Sequence, residues 1–453
     1  MRIKKLIFRL ACTGAYGLLF TMPAKAQATL DNYIEYGLKS NQSIQQQKFI
    51  LEKNLYALQE AKSMFLPDVS FGGSYTKTHG GRTIDLPLGD LLNNAYSSLN
   101  KLTGSGAFPQ VQNQHILINP DNFYDTRFRI TYPILNAELI YNKKIKGQQV
   151  GLQKEEVSLY KRELVKNIKA AYYQYLKAVY ASDIYISSLT LVKEELRVNA
   201  SLLKNDKVNR TVVLRSENEV SRISASLTTS QKARDSARDY FNFLLNRPLT
   251  DSIMVDSSFS KPPVDSFSDQ GVNQREELSK LSIVSDINQN LTGLAKSYII
   301  PKIGTSLNLG SQAFDWKFNG SSRYYLFGVN LEWNLFAFGK NTHRINQTIA
   351  DQQSIGAQSE YVRLQLETEL DVRKNSLISS IAQYAAAVTQ VKTAQTYYDD
   401  ELKLYKEGLA IYIELLDAQN QLIDSRLRMN ISLYDTWIAH AEIERATAGF
   451  PIK

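Results

Sequence analysis

From residue 137 to about residue 203 the chain contains neither proline nor a cluster of turn formers, and apolar residues return every seventh position: Val157, Leu164, Ala171, Ala178, Tyr185 and Val192. Ile168, Tyr175, Leu189, Leu196 and Leu203 supply the second seam position, with Ser182 the one lapse. A later stretch repeats the pattern through Leu370, Leu377, Tyr384, Val391, Tyr398 and Tyr405, supported by Ile381, Val388, Leu402 and Leu409. A sustained heptad stripe predicts a coiled-coil helix. At 1.5 Å per residue each such helix is about 100 Å long. A compact domain has no use for that reach, whereas a rod or a tube does.

The long helices belong to a larger duplication. "SMFLPDVSFGGSY" at 63–75 and "SYIIPKIGTSLNL" at 297–309 both run a helical pattern into a proline and then into alternating residues. Asn41 to Pro67 and Arg275 to Pro301 each span 26 residues, an offset of 234. Further on, "TYPILNA" at 131–137 falls on "EWNLFAF" at 332–338, an offset of 201. The 33-residue difference is extra chain in the first copy, within about 77–122, where Gly, Asn and Pro are frequent and the composition reads as a long loop. Each copy then contains a helix, a strand, a loop, a strand, a very long helix, a turn and a return helix. The first helix is expected over about 30–65, capped by Thr29 or Asp31. Its counterpart covers about 273–299, and Pro67 and Pro301 stop the two. The expected organisation is a first repeat over 27–246, with strands at about 68–77 and 122–135. A Pro-, Ser- and Asp-rich connecting or equatorial segment follows over 247–272. The second repeat covers 273–453, with strands at about 302–311 and 324–336.

The strands alternate. Val69, Phe71 and Tyr75 oppose Ser70, Ser74 and Thr76; Phe128, Ile130 and Tyr132 oppose Arg127, Arg129 and Thr131; Val329, Leu331 and Trp333 oppose Asn330, Glu332 and Asn334. One apolar and one polar face suits a barrel between lipid and water, and equally a soluble sandwich with its apolar side inward. Trp316, Trp333, Phe338, Tyr324 and Tyr325 near strand ends favour the barrel as an interfacial belt. No later segment offers 18 consecutive apolar residues, so contact with a bilayer requires a closed barrel of strands. Four strands cannot close one, because about eight are the practical minimum. A membrane barrel therefore pools strands from several copies.

Residues 1–26 begin with Arg2, Lys4 and Lys5, continue apolar and end in Ala24-Lys25-Ala26, the pattern of a secretory signal. Losing its five basic residues reduces the net charge from +8 to +3, so nucleic acid is not implied. Cys12, the only cysteine, lies in that segment, which leaves no thiol for disulfide or redox chemistry in the exported chain. His79, His115, His343 and His440 have no metal-ligand spacing, and no phosphate-binding glycine loop or nucleophile elbow is present. No cofactor and no enzyme activity are expected.

The layout resembles the TolC-like family of outer-membrane efflux and secretion channels. The resemblance rests on Leu66-Pro67, Ile300-Pro301, "NQREEL" at 273–278 and above all "YKEGLAIYIELLDAQNQL" at 405–422, and it extends over nearly all of 27–453. It implies a mostly helical homotrimer of duplicated helix–strand–strand–long-helix repeats. Twelve pooled strands would form an outer-membrane β-barrel above a periplasmic α-helical coiled-coil barrel. Glu414 and Asp417, three apart, share a helix face, so three copies would stack two acidic rings at a tube tip. The family's entrance constriction has acids at this spacing, with Tyr405 and Gly408 matching positions beside it. Acids at a helix start also favour the helix dipole as ordinary solvated residues. Where the family has a latching arginine this chain has Ala410, and the acidic partner falls on Val213, so a closing lock must differ; Arg210 and Asn209 are nearby candidates.

The resemblance implies a passive conduit from periplasm to exterior, gated at the periplasmic tip. It would serve a tripartite efflux or type I secretion system, with an inner-membrane transporter and a periplasmic adaptor docked near the turns at 204–212 and 406–412. The alternative is a coiled-coil protein of the cell envelope with no pore.

Overall fold

Two prolines set the layout. The chain is helical as α1 (Leu30–Ser40) and α2 (Gln42–Ser63), becomes extended at Pro67, and enters β1 (Asp68–Thr76). Proline has no amide proton for a helix ladder and forces the residue before it toward extended backbone. The computed structural model describes residues 30–263 and 271–451. The expected signal peptide at 1–26 lies outside the described residues, as do residues 264–270 of the connecting segment.

The first helix is expected in one piece, and it is broken at Asn41. The Asn41 side-chain oxygen accepts from the backbone of Ser43 at 2.9 Å and Ile44 at 3.3 Å, which caps α2. Its amide nitrogen donates to the Leu244 carbonyl at 2.9 Å, and the Ser40 hydroxyl donates to Leu245 at 2.7 Å. The break is thus a docking joint against the end of the first return helix.

After β1 come β2 (Thr83–Leu86), α3 (Leu88–Thr103), β3 (Gln114–Leu117) and β4 (Phe123–Leu135). The long helix α4 (Ala137–Lys204) and its return α5 (Arg210–Leu244) complete the first copy. The second consists of α6 (Glu276–Lys296), β5 (Lys302–Phe314), β6 (Arg323–Glu332), α7 (Lys340–Lys406) and α8 (Tyr412–Ala446). Residues 77–122, which read as loop from their Gly, Asn and Pro content, hold a helix and a two-stranded ribbon. Leu88, Leu91, Leu92, Leu99 and Leu102 recur at helical spacing between Pro87 and Gly104, and Gly104 ends α3 in the left-handed region.

The described residues form two compact units. One contains residues 46–159 and 274–365, and with them the sheets. Its main sheet has strand order β1-β4-β5-β6, antiparallel throughout. The register aligns Phe71, Phe128, Leu309 and Tyr325 in one row, and Val69, Ile130, Leu307 and Phe327 in the next. Nearly all of this face is open: Val69, Phe71, Phe128, Phe327, Val329 and Leu331 are exposed, and Tyr325 is 78% exposed. A soluble sandwich would cover such a face with a second sheet, and among the described residues none does. The opposite face places Arg127, Arg129, Asp125 and Asn308 together. Trp316 stacks on Tyr75 at 5.0 Å and on Tyr124 at 5.5 Å, while Trp333 and Phe338 at the other end are exposed. Tyr324 departs from the expected belt, for its hydroxyl donates to Asp125 at 3.0 Å on the polar face. At the start of α6, Arg275 is buried and grips Glu277 with two hydrogen bonds, at 3.0 and 2.7 Å.

The other unit takes residues 30–45, 160–263, 271–273 and 366–451. Its core gathers Tyr33, Ile34, Ile168, Tyr172, Leu176, Phe241, Leu245 and Tyr434. The connecting segment is stitched to it. Tyr172 donates to the Met254 carbonyl at 2.8 Å and accepts from Asp256 at 3.1 Å, and Trp437 donates to Lys261 at 2.9 Å. Ser182, the lapse in the heptad stripe, is fully buried and meets Ser230 hydroxyl to hydroxyl at 3.0 Å. The seam is polar there because two small hydroxyl residues face one another.

Candidate functional site: the paired helical turns

Two turns lie in the unit of long helices, one after α4 and one after α7. Both close with the same backbone bonds. Lys207 reaches Leu202 at 2.9 Å and Asp206 reaches Leu203 at 3.0 Å; Leu409 reaches Leu404 at 2.8 Å and Gly408 reaches Tyr405 at 3.1 Å. This pattern satisfies carbonyls that a helix end leaves free and needs a residue with positive φ. That residue is Asp206 (φ 54°) in the first copy and Gly408 (φ 75°) in the second. Asn209 then caps α5, its side-chain oxygen accepting from Val212 at 3.3 Å, and Arg210 is exposed at the first position of that helix.

The second return helix starts differently. Its cap position is Ile411, which has no capping oxygen, and the Glu414 carboxylate takes over by accepting from the Ile411 amide at 3.0 Å. Asp417 accepts from Gln421 at 2.7 Å. Both acids are exposed. They share a neighbourhood with Glu401, for burial first and then the charges of Glu401, Asp417 and Glu414 push the Tyr397 phenol above its ordinary range. Each chain therefore gathers three carboxylates here, and Glu401 is the one that spacing alone does not bring out, because it lies on the preceding helix.

Gly408 ends α7, whereas Tyr405 is buried and donates to the Asn199 side-chain oxygen at 2.6 Å. Asn199 is fully buried and donates onward to the Ser216 hydroxyl at 2.7 Å. Ser216 also hydrogen-bonds Tyr412, whose ring lies 5.9 Å from that of Tyr405. One turn above, the Tyr398 hydroxyl donates to Glu195 at 3.0 Å. Glu195 is 6% exposed and its second carboxylate oxygen has no partner. Burial pushes its pKa up to about 7, against the pull of the Tyr398 hydrogen bond and with help from the nearby charge of Glu219. Around these polar contacts Ala394, Leu415, Ala418 and Leu422 make an apolar shell, with Ala410 packed against it.

Asn199 is one heptad beyond Val192, so an amide on the seam was visible in the stripe, but its partners on α5 and α7 were not. Ala410 and Val213 carry no charge, so these two positions hold no ion pair, while Asn209 caps α5 and Arg210 is exposed at its first position. Buried hydrogen bonds that join the two repeats beside the turns include Tyr398–Glu195 and Tyr405–Asn199, the latter continued to Ser216 within the first repeat. Between the turns lies a groove of about 920 Å³ bordered by Lys207, Asn209, Arg215, Lys406 and Ala410.

Among the described residues no group of three or more His, Cys, Asp or Glu is arranged to hold a metal, and no helix is long and apolar enough to cross a membrane. The chain joins two long helical pairs to a four-stranded sheet whose apolar face is uncovered among the described residues. Residues 273–449 match the family described as outer membrane efflux protein. Among solved structures, the outer-membrane protein VceC of Vibrio cholerae superposes with a TM-score of 0.72 at 14% identity, covering 93% of this chain and 96% of that one. The CmeC outer-membrane channel of Campylobacter jejuni gives 0.74 at 14% identity, covering 93% and 85%. The open-state MtrE outer-membrane channel of Neisseria gonorrhoeae gives 0.74 at 14% identity, covering 92% and 88%. No curated protein matches in sequence, so the family pattern and the fold carry the likeness. The second half of the chain thus carries the outer membrane efflux protein pattern, and the chain as a whole has the fold of these solved outer-membrane channels.

Proposed function

We propose that three copies of this chain form one passive channel. Each contributes four strands to a twelve-stranded barrel in outer-membrane lipid and two helical pairs to a tube reaching into the periplasm. The observation that carries this reading is the main sheet: its apolar face is uncovered, and the outer edges of β1 and β6 have no partner strand among the described residues. An open edge and a bare apolar face together are unstable in any solvent until other copies close the ring and lipid covers it.

At the far end of the helices, Glu414 and Asp417 from three copies face a common axis. Like charges brought together favour cations and resist closure, so the tip is held shut by other contacts. The buried links Tyr405–Asn199 and Tyr398–Glu195 supply that restraint in place of an ion pair. The groove between the turns, which Asn209 and Ala410 border, suits the hairpin of a periplasmic adaptor. An inner-membrane transporter of an efflux or type I secretion system would drive the cargo.

The test is conductance in a planar bilayer, with the subunit count taken from the mass of the detergent-extracted particle. A trimer with discrete, cation-selective steps is expected, and Glu414→Gln with Asp417→Asn lowers the selectivity while steps persist. A monodisperse, detergent-free monomer ends the reading. Unchanged selectivity in the double variant ends the acidic-ring assignment and leaves the channel standing.

A further inference from the structure

The insertion between β1 and β4 has its amphipathicity turned outward. Its base is clamped: the Thr78 amide donates to Asp121 at 3.0 Å, and Tyr75 donates to Asn122 at 2.6 Å. The β2–β3 ribbon rises from that clamp and carries α3. One side of α3 is fastened to the strap at 108–113 by polar groups. Asn93 exchanges two hydrogen bonds with the Val111 backbone, at 2.9 and 2.8 Å, and Asn100 exchanges two with Phe108, at 2.8 and 3.0 Å. Asn113 accepts from the Gly89 amide at 2.9 Å and from Asp90 at 3.2 Å, capping the helix start.

The other side has no cover. Leu88, Leu91, Leu92, Ala95, Leu99 and Leu102 fall within one face of about 100° at 3.6 residues per turn. Leu102 is 83% exposed, Leu91 is 68% exposed, and Leu92 and Leu99 are exposed as well. A surface helix normally turns this face inward and its asparagines to water. Here the asparagines are used inside, and six apolar side chains form a stripe without a single charge.

We propose that this stripe is covered by the same stripe of neighbouring copies, so that the α3 helices pack together as a cap across the outer mouth of the barrel. The inference rests on the pooled-strand reading above. Three observations select a second copy over other occupants. The insertion springs from β1, the open edge strand, where a neighbouring copy's β6 has to join, so each α3 stands beside a seam between copies. Leu88, Ala95 and Leu102 repeat at seven residues, flanked by Leu91 and by Leu92 and Leu99, which is the spacing of a helix that pairs with its own kind. The helix has one basic residue, Lys101, and neither tryptophan nor arginine, unlike helices that lie on a lipid surface.

The experiment uses the full-length channel in a Cys12→Ser background, where any introduced thiol is unique. Leu102→Cys and Ala95→Cys are placed on the leucine face and Ser97→Cys on the opposite one. The detergent-extracted particles are sized, treated with a short bismaleimide and run on a denaturing gel. Covalent dimers from Leu102→Cys and Ala95→Cys, with loss of that band for Ser97→Cys, are expected. A second readout is the conductance of Leu91→Asp with Leu102→Asp, which rises as the cap opens. Particles of trimeric mass that give no dimer from either leucine-face thiol overturn the cap alone. Labelling of those thiols by a lipid-borne reagent within intact trimers does the same and assigns the stripe to the outer leaflet. Particles of monomeric mass overturn the pooled-strand reading and the cap with it.

Discussion

The turn after α4 and the turn after α7 are closed by the same backbone bonds, yet the helical pairs they join bring opposite chemistry to one buried seam. The first copy supplies Glu195, Asn199, Ser216 and Glu219, all buried and polar. The second supplies Tyr398, Tyr405 and Tyr412, each a large ring ending in one hydroxyl. Neither set satisfies itself fully. Asn199 donates to Ser216 within the first set, but the Asn199 oxygen and the Glu195 carboxylate take their hydrogen bonds from the tyrosines, whose hydroxyls a seam of three tyrosines would leave without partners. Duplication provided two similar helical pairs, and divergence made each the other's complement. The link between copies is therefore specific to their register, because sliding one helix by a turn would break every one of these hydrogen bonds.

The strongest way to break the comparison is to remove the residue that touches both sides. Asn199→Ala leaves the Tyr405 hydroxyl and the Ser216 hydroxyl without their shared partner, at a cost of about 2–3 kcal/mol. Hydrogen exchange of the tip helices in the solubilised channel should show local opening eased by that amount, with protection around Tyr172 and Phe241 unchanged. The Asn199→Ala and Tyr405→Phe pair, measured as a double-mutant cycle, should be clearly non-additive. Additive effects would mean that the two side chains are neighbours without being coupled.

Glu195 sharpens the comparison through pH. Its folded pKa is raised to about 7, chiefly by burial, above the ordinary glutamate value near 4.5. The folded tip thus holds a proton that the opened tip releases across this window. Its contribution to stability is fully present below about pH 4.5 and is lost as pH rises through about 7. Glu195→Gln keeps the group neutral at every pH. The variant should exchange more slowly than the parent at pH 8, by about 3 kcal/mol of opening free energy, and should show a flat profile between pH 5 and 8. A slope identical to the parent's would place the titrating group elsewhere.

The sheet and the tip differ in how much of them could be read in advance. Alternation through Val69, Phe71, Phe128, Ile130, Val329 and Leu331 carries its own geometry, because a strand has period two and each residue's face follows from its neighbour's. The heptads of α4 and α7 are as direct, with their lapse at Ser182 explained only by Ser230, which lies 48 residues away on another helix. The break at Asn41 has no local signature for the same reason, since its partner Leu244 is 203 residues distant. At the tip, Glu414 and Asp417 share a helix face by spacing, whereas Tyr398 and Tyr405 read as ordinary seam residues. That Tyr405 is turned to Asn199 depends on which helix packs opposite, and periodicity carries no information about that. In the insertion, Gly80-Gly81 and Asn119-Pro120 dominate the composition, so the short leucine repeat between them was masked.

The smaller contrasts lie in the turns themselves. Gly408 stands at φ 75°, and a Cβ built there meets nothing within 4 Å. Gly408→Ala is therefore a pure backbone test, expected to ease opening of the second turn by about 1 kcal/mol through the left-handed conformation alone. Faster exchange confined to residues 400–412 is the readout, because no side-chain contact is lost.

Asp206 occupies the equivalent position of the first turn at φ 54°, with a side chain that makes this region less favourable than it is for glycine. Short polar residues tolerate the left-handed region better than alanine does, so the gain from Asp206→Gly is smaller than the loss from Gly408→Ala, about 0.5 kcal/mol. The same substitution removes a carboxylate next to the C-terminal end of α4, where a negative charge opposes the helix dipole. Both terms have one sign, so slower exchange in residues 196–204 is expected, with the effect on charge reduced at high salt. Faster exchange would show that Asp206 holds the turn through its side chain, and the two turns would then be stabilised by different means despite their identical backbone bonds.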